Sequence, residues 1–427
     1  MKITGNNTKC LLGKIAFYSF WVLLIPGMIS CNSDSDSDID NGGDGYLPLA
    51  EPIVVTLSQK IESDNTYALD LFKTTYSLSE ESNVFVSPLS VNMALSMTLN
   101  GANDATLDEM KEALRAKNYS VDEINTYNKS LREALVAVDK STTLSIANSI
   151  WYNTIYTFNN EFISVNKSNY DAEVTSVDFG SSNTVSRINN WVSDKTNKKI
   201  PSIIDELSAD DAMCLINAIY FKGIWREKFD KNKTKDEDFY SENGVSMGKV
   251  KMMNQTKHFQ YTDDDNCKYL NLPYGNGAFS MIVMLPNEGK TIDDVISNLN
   301  NESWNNAMHM GSCEVNLQFP RFKVECSYEM DEAILPEMGM MTPFTEFADF
   351  SDITTDRKIF ITKVIHKSFV EVNEEGTEAA AATAVIMGPT SMPPASIDYI
   401  VNKPFAFAIR ENSTGVILFI GKTGSIK

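Results

Sequence analysis

The sequence has 427 residues, of which 43% are apolar, 10% aromatic and 22% charged. This is the composition of an ordinary globular protein, and it excludes a largely disordered chain, a collagen repeat and a small disulfide-built scaffold. The formal net charge of −20 would repel phosphate backbones, which argues against a nucleic-acid partner.

The cysteines and histidines do not form a metal-binding pattern. The sequence contains no Cys-x-x-Cys pair, and its three histidines do not cluster. Zinc sites require grouped thiolate or imidazole ligands, so we expect no metal and no cofactor. The cysteines of the later chain are predicted to be small buried apolar residues, with one disulfide left open among Cys214, Cys267, Cys313 and Cys326.

Residues 1–30 have the layout of a secretory signal. Three lysines precede an apolar run at 15–25, which is too short to span a bilayer stably, and Pro26-Gly27 follows. Met28-Ile-Ser-Cys31 resembles a bacterial lipobox, in which the cysteine is lipidated. We therefore expect Cys31 to carry a lipid that holds the protein at the outer membrane or cell surface of a Gram-negative bacterium. Ordinary signal cleavage, with Cys31 incidental, is the alternative.

An acidic, polar segment follows the signal and is predicted to be a flexible tether over 31–50, with one domain over 51–427. In that domain Ser87-Pro88 predicts the start of a helix, Asn100-Gly101 its end, and Thr106-Leu-Asp-Glu109 a capping box for the next helix. Strand patterns dominate later, at 217–221, 279–285, 315–324, 359–372, 405–410 and 416–420. Helices first and strands later indicate an α+β fold.

Alternation in the 359–372 pattern places His366 on the same face as Val364, Ser368, Val370 and Val372. A histidine on an apolar face is usually structural, and burying it without a partner costs on the order of 1–3 kcal/mol. We therefore expect His366 to have a polar partner in the core. Motifs of a nucleophile elbow, a phosphate loop or a dinucleotide fold are absent from the sequence, so it gives no indication of an enzyme.

Residues 373–394 allow two interpretations. By propensity alone, the alanine run Glu378–Ala384 is an exposed helix. Read as a strand, the alternate positions from Thr377 to Met387 are all uncharged and mostly small, and they could be buried in a sheet. A segment that suits both a loop and a buried strand is a candidate conformational switch.

Here the chain resembles the serpin family of protease inhibitors. The similar stretches follow the family's order: NVFVSPLS at 83–90 with ALSM at 94–97, INNWV at 188–192, LINAIYFKGIW at 215–225, EEGTEAAAA at 374–382, and KPF at 403–405 with LFIG at 418–421. One departure is Lys198, which stands where the family usually has glycine.

The resemblance implies a serpin fold with about nine helices and three mostly antiparallel sheets, and an exposed reactive loop. It also implies a suicide-substrate inhibitor of serine proteases, with cysteine proteases as a second class, that acts as a monomer and has no catalytic residue of its own. The protease cuts the loop, and the cut loop inserts into the main sheet while the protease is held as a covalent complex. The alternative is a non-inhibitory serpin that acts as a binding module.

Site residues follow from the same resemblance. The hinge is the start of the loop and consists of Glu374, Glu375, Gly376, Thr377, Glu378, Ala379, Ala380, Ala381 and Ala382. The shutter is the place where the strands separate, and it consists of Ser87, Ser90, Asn217 and His366. The breach is the place where insertion begins, and it contains Trp225. The spacing from Glu374 places the scissile bond between Thr390 and Ser391. Because Thr390 is small and uncharged and follows Pro389, an elastase-like or subtilisin-like target is expected, and the lack of Arg or Lys between Glu374 and Pro394 argues against a basic-specific one. Met387 and Met392 are alternative cleavage points for chymotrypsin-like proteases.

Overall fold

The structure is a computed structural model, and it describes residues 47–377 and 396–426. Nine α-helices occur in this part of the chain: α1 Lys60–Leu78, α2 Pro88–Leu99, α3 Asp104–Ala113, α4 Val121–Ala137, α5 Asn160–Tyr170, α6 Ser182–Lys195, α7 Ile292–Asn298, α8 Asn301–Asn306 and α9 Ile334–Glu337.

Fifteen strands accompany them in the same residues. They are β1 Asn83–Val86, β2 Thr143–Asn153, β3 Glu173–Val177, β4 Met213–Ile224, β5 Lys235–Tyr240, β6 Ser246–Asp263, β7 Cys267–Pro273, β8 Phe279–Pro286, β9 Gly311–Pro320, β10 Phe322–Glu329, β11 Ile365–Asn373, β12 Gly376–Thr377, β13 Ile397–Ile400, β14 Phe405–Glu411 and β15 Ile417–Thr423. The predicted mixed α+β fold is thus confirmed.

The described strands join into two hydrogen-bonded sheets. One has six strands in the order β10-β11-β12-β4-β2-β3, and the other has nine, in the order β1-β15-β14-β8-β7-β6-β9-β13 with β5 on β6. Where three sheets were expected, the 18-residue strand β6 pairs with β5 and β9 at one end and with β7 and β9 at the other, so it makes one continuous network. Pairing is antiparallel except for β13 with β9 and β2 with β3.

Helix α2 occupies the core between the two sheets. It contacts β4 of the six-stranded sheet and β15 of the nine-stranded sheet, and every one of its residues except Ala94 is buried. Its start agrees with the prediction, because Ser87 is the N-cap, its hydroxyl accepts a hydrogen bond from the Ser90 amide, and Pro88 is the first helical residue. The helix ends at Leu99, directly before Asn100.

The predicted capping box at Thr106 is wrong. Helix α3 already begins at Asp104, so Thr106 lies inside the helix, where its hydroxyl accepts a bond from the Asp349 amide. The carboxylate of Glu109 accepts bonds from Met341 and Thr342. The side chains of Thr106 and Glu109 therefore bond to residues that are distant in sequence, and a local motif does not reveal such partners.

Two predicted strands also have the wrong bounds. The 315–324 pattern is two strands in different sheets, because the chain leaves β9 at Pro320 and starts β10 at Phe322. In the 359–372 pattern only β11 is a strand. Ile361 and Val364 donate their amides to Pro343 and Asp331 instead of to a neighbouring strand. Periodicity shows which residues are apolar but not which sheet receives them.

The four cysteines of the described residues are free thiols. Cys267 is buried as expected, whereas Cys214, Cys313 and Cys326 are only partly buried. Burial nevertheless raises the pKa of the Cys214 thiol to about 12. Such a thiol remains protonated and unreactive near neutral pH.

Candidate functional site

The four residues predicted as the shutter lie in one buried cluster beneath the six-stranded sheet. Ser87 and Ser90 come from the start of α2, Asn217 from β4 and His366 from β11. The Ser90 hydroxyl donates to the Asn217 side-chain oxygen, and the Asn217 amide group donates to Asn148 on β2. Helix α2 is thereby linked to two strands of the sheet by side-chain hydrogen bonds.

His366 has the polar partner that its sequence environment required. Its Nε2 accepts a hydrogen bond of 3.0 Å from the Ser87 backbone amide, so this nitrogen carries no proton and the ring is neutral. The side chain is 3% exposed, and desolvation lowers its pKa from 6.5 to about 4. Pairing with an amide donor, rather than with a carboxylate, favours the neutral ring.

Strands β4 and β11 are neighbours across this cluster, and the start of the predicted hinge, residues 374–377, lies between them at one end. After β11, the chain turns at Glu374-Glu375 and returns as β12, where Gly376 pairs with Ile224 and Asn373, and Thr377 pairs with Gly223 and Val372. Over the described residues, β12 bridges β4 and β11, which form no ladder with each other. The first two hinge residues after the turn thus already occupy a strand position in the sheet.

Gly376 is required by this geometry. Its φ is 149°, in a region that residues with a side chain rarely adopt, and an added Cβ would lie 2.1 Å from the Gly223 carbonyl oxygen. The two backbones can approach closely only because position 376 has no side chain.

Trp225, the residue predicted to lie at the breach, contacts the predicted hinge through both its backbone and its side chain. Its amide donates to the Glu375 carbonyl at 2.8 Å, and its indole N–H donates to the Asn373 carbonyl at 2.8 Å. The indole is stacked on the Tyr274 ring, with centroids 4.4 Å apart. The Tyr274 hydroxyl lies 2.7 Å from the Thr377 hydroxyl. Sequence analysis missed Tyr274, whose only local signal is the Gly-Asn-Gly turn that follows it.

The Glu374 carboxylate is held by hydrogen bonds from residues that the sequence analysis did not identify. Its Oε1 accepts bonds from Nε and Nη2 of Arg321 at 2.8 and 2.6 Å and from the Thr234 hydroxyl. Burial by itself would raise the pKa of Glu374, but these bonds outweigh it and lower the pKa below its usual range. The carboxylate stays charged and fixes the start of the turn.

Glu375 is held from the other side by two lysines. Lys228 and Lys231 lie 3.2 and 2.9 Å from its carboxylate oxygens, and the Glu375 side chain is 8% exposed. Desolvation again acts to raise the pKa, and the two ammonium groups lower it further than burial raises it. At neutral pH both carboxylates of the turn are therefore ionised, and each lies against positively charged side chains.

Two small cavities lie between β4 and β11 beyond β12. One of about 20 Å³ is lined by Ser90, Asn217 and His366 together with apolar residues of α2. The other, of about 30 Å³, is bordered by Cys214, Leu215 and Ile365. Packing between these two strands is therefore incomplete beyond β12.

The remaining site predictions fall outside the described residues. They are Glu378, Ala379, Ala380, Ala381 and Ala382 of the hinge, the Thr390–Ser391 bond, and Cys31 with the rest of the signal and tether. Among the residues that the structure describes, no group of acidic, histidine or cysteine side chains could hold a metal ion. None of the helices in the same residues combines the length and the apolarity needed to cross a bilayer.

Comparison with known proteins decides the family. The model of the serpin (serine protease inhibitor) family matches residues 62–425. The chain belongs to the serpin family.

Relatives of this serpin are close in length as well as in sequence. Human serpin B3 is 38% identical over 387 residues, covering 85% of this chain and 98% of the relative. The leukocyte elastase inhibitor of Sus scrofa is 37% identical over 381 residues, with 86% and 100% coverage. The crystal structure of tengpin, a thermophilic serpin in the native state, superposes with a TM-score of 0.80 at 31% identity, covering 88% of this serpin and 97% of that chain.

Proposed function

We propose that this serpin inhibits serine endopeptidases as a suicide substrate, and that the reactive loop begins its insertion at β12. The observation that carries the proposal is the position of Gly376 and Thr377, paired on both sides between β4 and β11. A strand added at this position would gain ladder hydrogen bonds on both edges, which is a large driving force.

The register of β12 indicates where later loop residues would go. Continued residue by residue, the pairing of Thr377 with Gly223 and Val372 brings Thr383 opposite both Asn217 and His366. The same register ends at Met387, which would face Met213, the first residue of β4. Pro389 has no amide to donate, so the inserted strand would end before Pro389, the residue that precedes Thr390.

In the proposed reaction, the protease serine attacks the Thr390 carbonyl carbon. The peptide bond to Ser391 breaks, the new amino terminus leaves with a proton, and an ester joins Thr390 to the protease. Insertion of the loop then competes with hydrolysis of that ester by water. This serpin supplies no catalytic group in these steps.

The loop sequence favours a protease that accepts a small uncharged residue. Thr390 is preceded by Pro389, and no Arg or Lys lies between Glu374 and Pro394. Several relatives are named leukocyte elastase inhibitors, which supports an elastase-like target. A subtilisin-like target suits the loop sequence as well, and cysteine proteases are a second class.

The test is to mix the full chain with elastase, subtilisin, chymotrypsin, trypsin and a papain-like protease. We expect an SDS-stable complex with elastase or subtilisin and, by mass spectrometry, a released fragment that begins at Ser391. A fragment with another first residue would correct the scissile bond. Cleavage without any stable complex would instead favour a non-inhibitory serpin that acts as a binding module.

We also propose that Cys31 is lipidated and holds the inhibitor at the surface of the cell envelope. The lipobox-like sequence and the acidic segment after it support this proposal. Labelled palmitate should enter the wild-type protein and not Cys31→Ala, and the variant should be released in soluble, fully inhibitory form. Failure of the wild type to incorporate palmitate would contradict the proposal.

A further inference from the structure

Residues 47–57 lie ahead of α1 on the surface of the domain, and we call them the strap. The Ala50 amide donates a hydrogen bond to the Asn276 carbonyl at 3.0 Å, and the Thr56 amide donates one to the Ser130 hydroxyl at 2.9 Å. The strap contributes only backbone groups to these bonds. Its path is therefore fixed without the use of its side chains.

Several of those side chains are apolar and remain in solvent. The strap forms one wall of an open apolar groove of about 610 Å³, and residues 134–138 at the end of α4 and beyond it form part of the other wall. Leu49 and Val54 line the groove and are 72% and 88% exposed. Among the large apolar side chains that the structure describes, only Phe347 is as exposed as these two. A concentrated apolar surface of this kind indicates a partner that is itself apolar.

Two occupants from the same protein fit the groove poorly. The chain upstream of the strap offers little apolar surface, since residues 32–45 contain five aspartates and a single large apolar residue, Ile39. A second copy of the protein is disfavoured because each copy has a formal net charge of −20, and two such surfaces repel each other. The occupant should therefore be apolar and should carry no net negative charge.

The proposed lipid anchor brings such a partner within reach. Cys31 lies 16 residues before Leu47, so a lipid on Cys31 limits the distance from Leu47 to the bilayer to at most roughly 55 Å. The strap is the part of the domain that lies nearest to the bilayer along the covalent chain. A zwitterionic phospholipid bilayer is apolar inside and does not repel an acidic protein by its charge.

We propose that the groove between the strap and the end of α4 is a second membrane contact, which docks the anchored serpin on a zwitterionic phospholipid surface. The inference rests on the proposed lipid anchor at Cys31. Leu49 and Val54 enter the boundary between headgroups and acyl chains, and acyl chains fill the open groove. Docking fixes which side of the inhibitor faces the bilayer, so that the protein is oriented as well as tethered.

The test uses the full-length Cys31→Ala protein, which carries no lipid and binds vesicles only through its own surface. Flotation with phosphatidylcholine vesicles at about 1 mM lipid measures binding of this protein and of the same protein with Leu49→Asp and Val54→Asp. The pair of substitutions should lower the partition coefficient at least about tenfold, because burial of a single leucine or valine favours the bound state by that factor or more. Both side chains are exposed, so the thermal midpoint should not change.

Phe347→Asp is the matched control, because Phe347 is 76% exposed and does not line the groove. It should change the partition coefficient by less than about twofold. Hydrogen exchange locates the contact: vesicles should slow exchange in peptides that contain 47–57 and 134–138 and not in a peptide that contains 342–350. Phosphatidylglycerol in the vesicles should weaken binding at low salt, because the bilayer then carries the same sign of charge as the protein.

Three results would overturn the inference: no binding of the Cys31→Ala protein, equal binding after Leu49→Asp and Val54→Asp, or unchanged exchange in 47–57. A dimer that Leu49→Asp dissociates, seen by sedimentation, would also overturn it and would make a second copy the occupant. Failure of the anchor is distinguishable from these results, because palmitate labelling tests Cys31 alone and vesicle binding tests a protein without lipid. Neither measurement depends on inhibition of a protease.

Discussion

The hydroxyl groups of Tyr274 and Thr377 lie 2.7 Å apart, and both side chains are almost completely buried. Thr377 therefore faces the protein interior and has a polar partner there. The face that it defines is continued in β11 by the buried residues Val372, Val370, Ser368 and His366. An inserted loop strand would present every second residue from Thr377 onward to this interior.

A charge at position 377 should abolish inhibition. Thr377→Arg would place a guanidinium without a partner among Tyr274, Trp225 and the backbone of β4, at a cost of at least several kcal/mol. The charge should therefore drive residue 377 out of the sheet of the intact protein, and insertion after cleavage would have to bury it. Insertion should then be slower than hydrolysis of the ester, and the variant should be cleaved as an ordinary substrate. The measurement is the number of inhibitor molecules consumed per protease inactivated.

Glu378→Arg is the matched control, because alternation places residue 378 on the opposite face of an inserted strand. It should inhibit nearly as well as the wild type. If Thr377→Arg forms the covalent complex at the wild-type stoichiometry, insertion at this site is not how the protein inhibits.

Specificity should follow residue 390 and not the hinge. Thr390→Arg should transfer inhibition towards trypsin-like proteases, because their specificity pocket carries a carboxylate that favours a cation. Second-order rate constants of inhibition for trypsin and elastase measure the change, and Thr390→Val is the control that keeps size and neutrality. A Thr390→Arg variant that still prefers elastase would show that the scissile bond lies elsewhere.

His366 should make the native state less stable as the pH falls below neutrality. Its pKa is about 4 in the folded protein and 6.5 without burial, so above pH 6.5 both states are neutral and no penalty arises. Between pH 6.5 and 4 the unfolded state binds a proton that the folded state excludes, and about 3 kcal/mol is lost over that range.

His366→Gln tests this pH dependence, because an amide oxygen can still accept the Ser87 N–H but does not titrate. Urea midpoints measured from pH 7.5 to 4 should fall more steeply for the wild type than for the variant. Parallel curves would mean that His366 is not the group responsible.

Lys198 should be a point of local strain that glycine relieves. Its φ is 65°, a left-handed conformation, and this explains why the family usually has glycine at this position. Lys198→Gly should raise the free energy of unfolding by about 0.5–1 kcal/mol, despite the greater flexibility of the unfolded chain.

The control for that substitution is Lys198→Ala, which also removes the exposed ion pair with Asp194 but retains a Cβ. Thermal unfolding of the three proteins should place Lys198→Gly highest. If alanine stabilises as much as glycine, the gain comes from the lost charge and not from the backbone.

Local sequence patterns were sufficient for the elements whose determinants lie within a few residues. Ser87-Pro88 identified the start of α2, because the cap and the first helical residue are adjacent. Alternation identified the buried face of β11 and the need of His366 for a partner, because strand side chains point to opposite faces in turn. The order of family-like stretches identified the fold.

Only the tertiary structure decided which distant residues meet. The partner of His366 is a backbone amide 279 residues away, Arg321 lies 53 residues from Glu374, and Tyr274 lies 103 residues from Thr377. The local sequence predicts a cap at Thr106, but residues 341–349 provide the partners of Thr106 and Glu109. The 315–324 pattern predicts one strand, but the chain passes from one sheet to the other after Pro320. Local patterns record the burial and propensity of each residue, whereas contacts between remote segments depend on how the elements pack, which no single stretch of sequence contains.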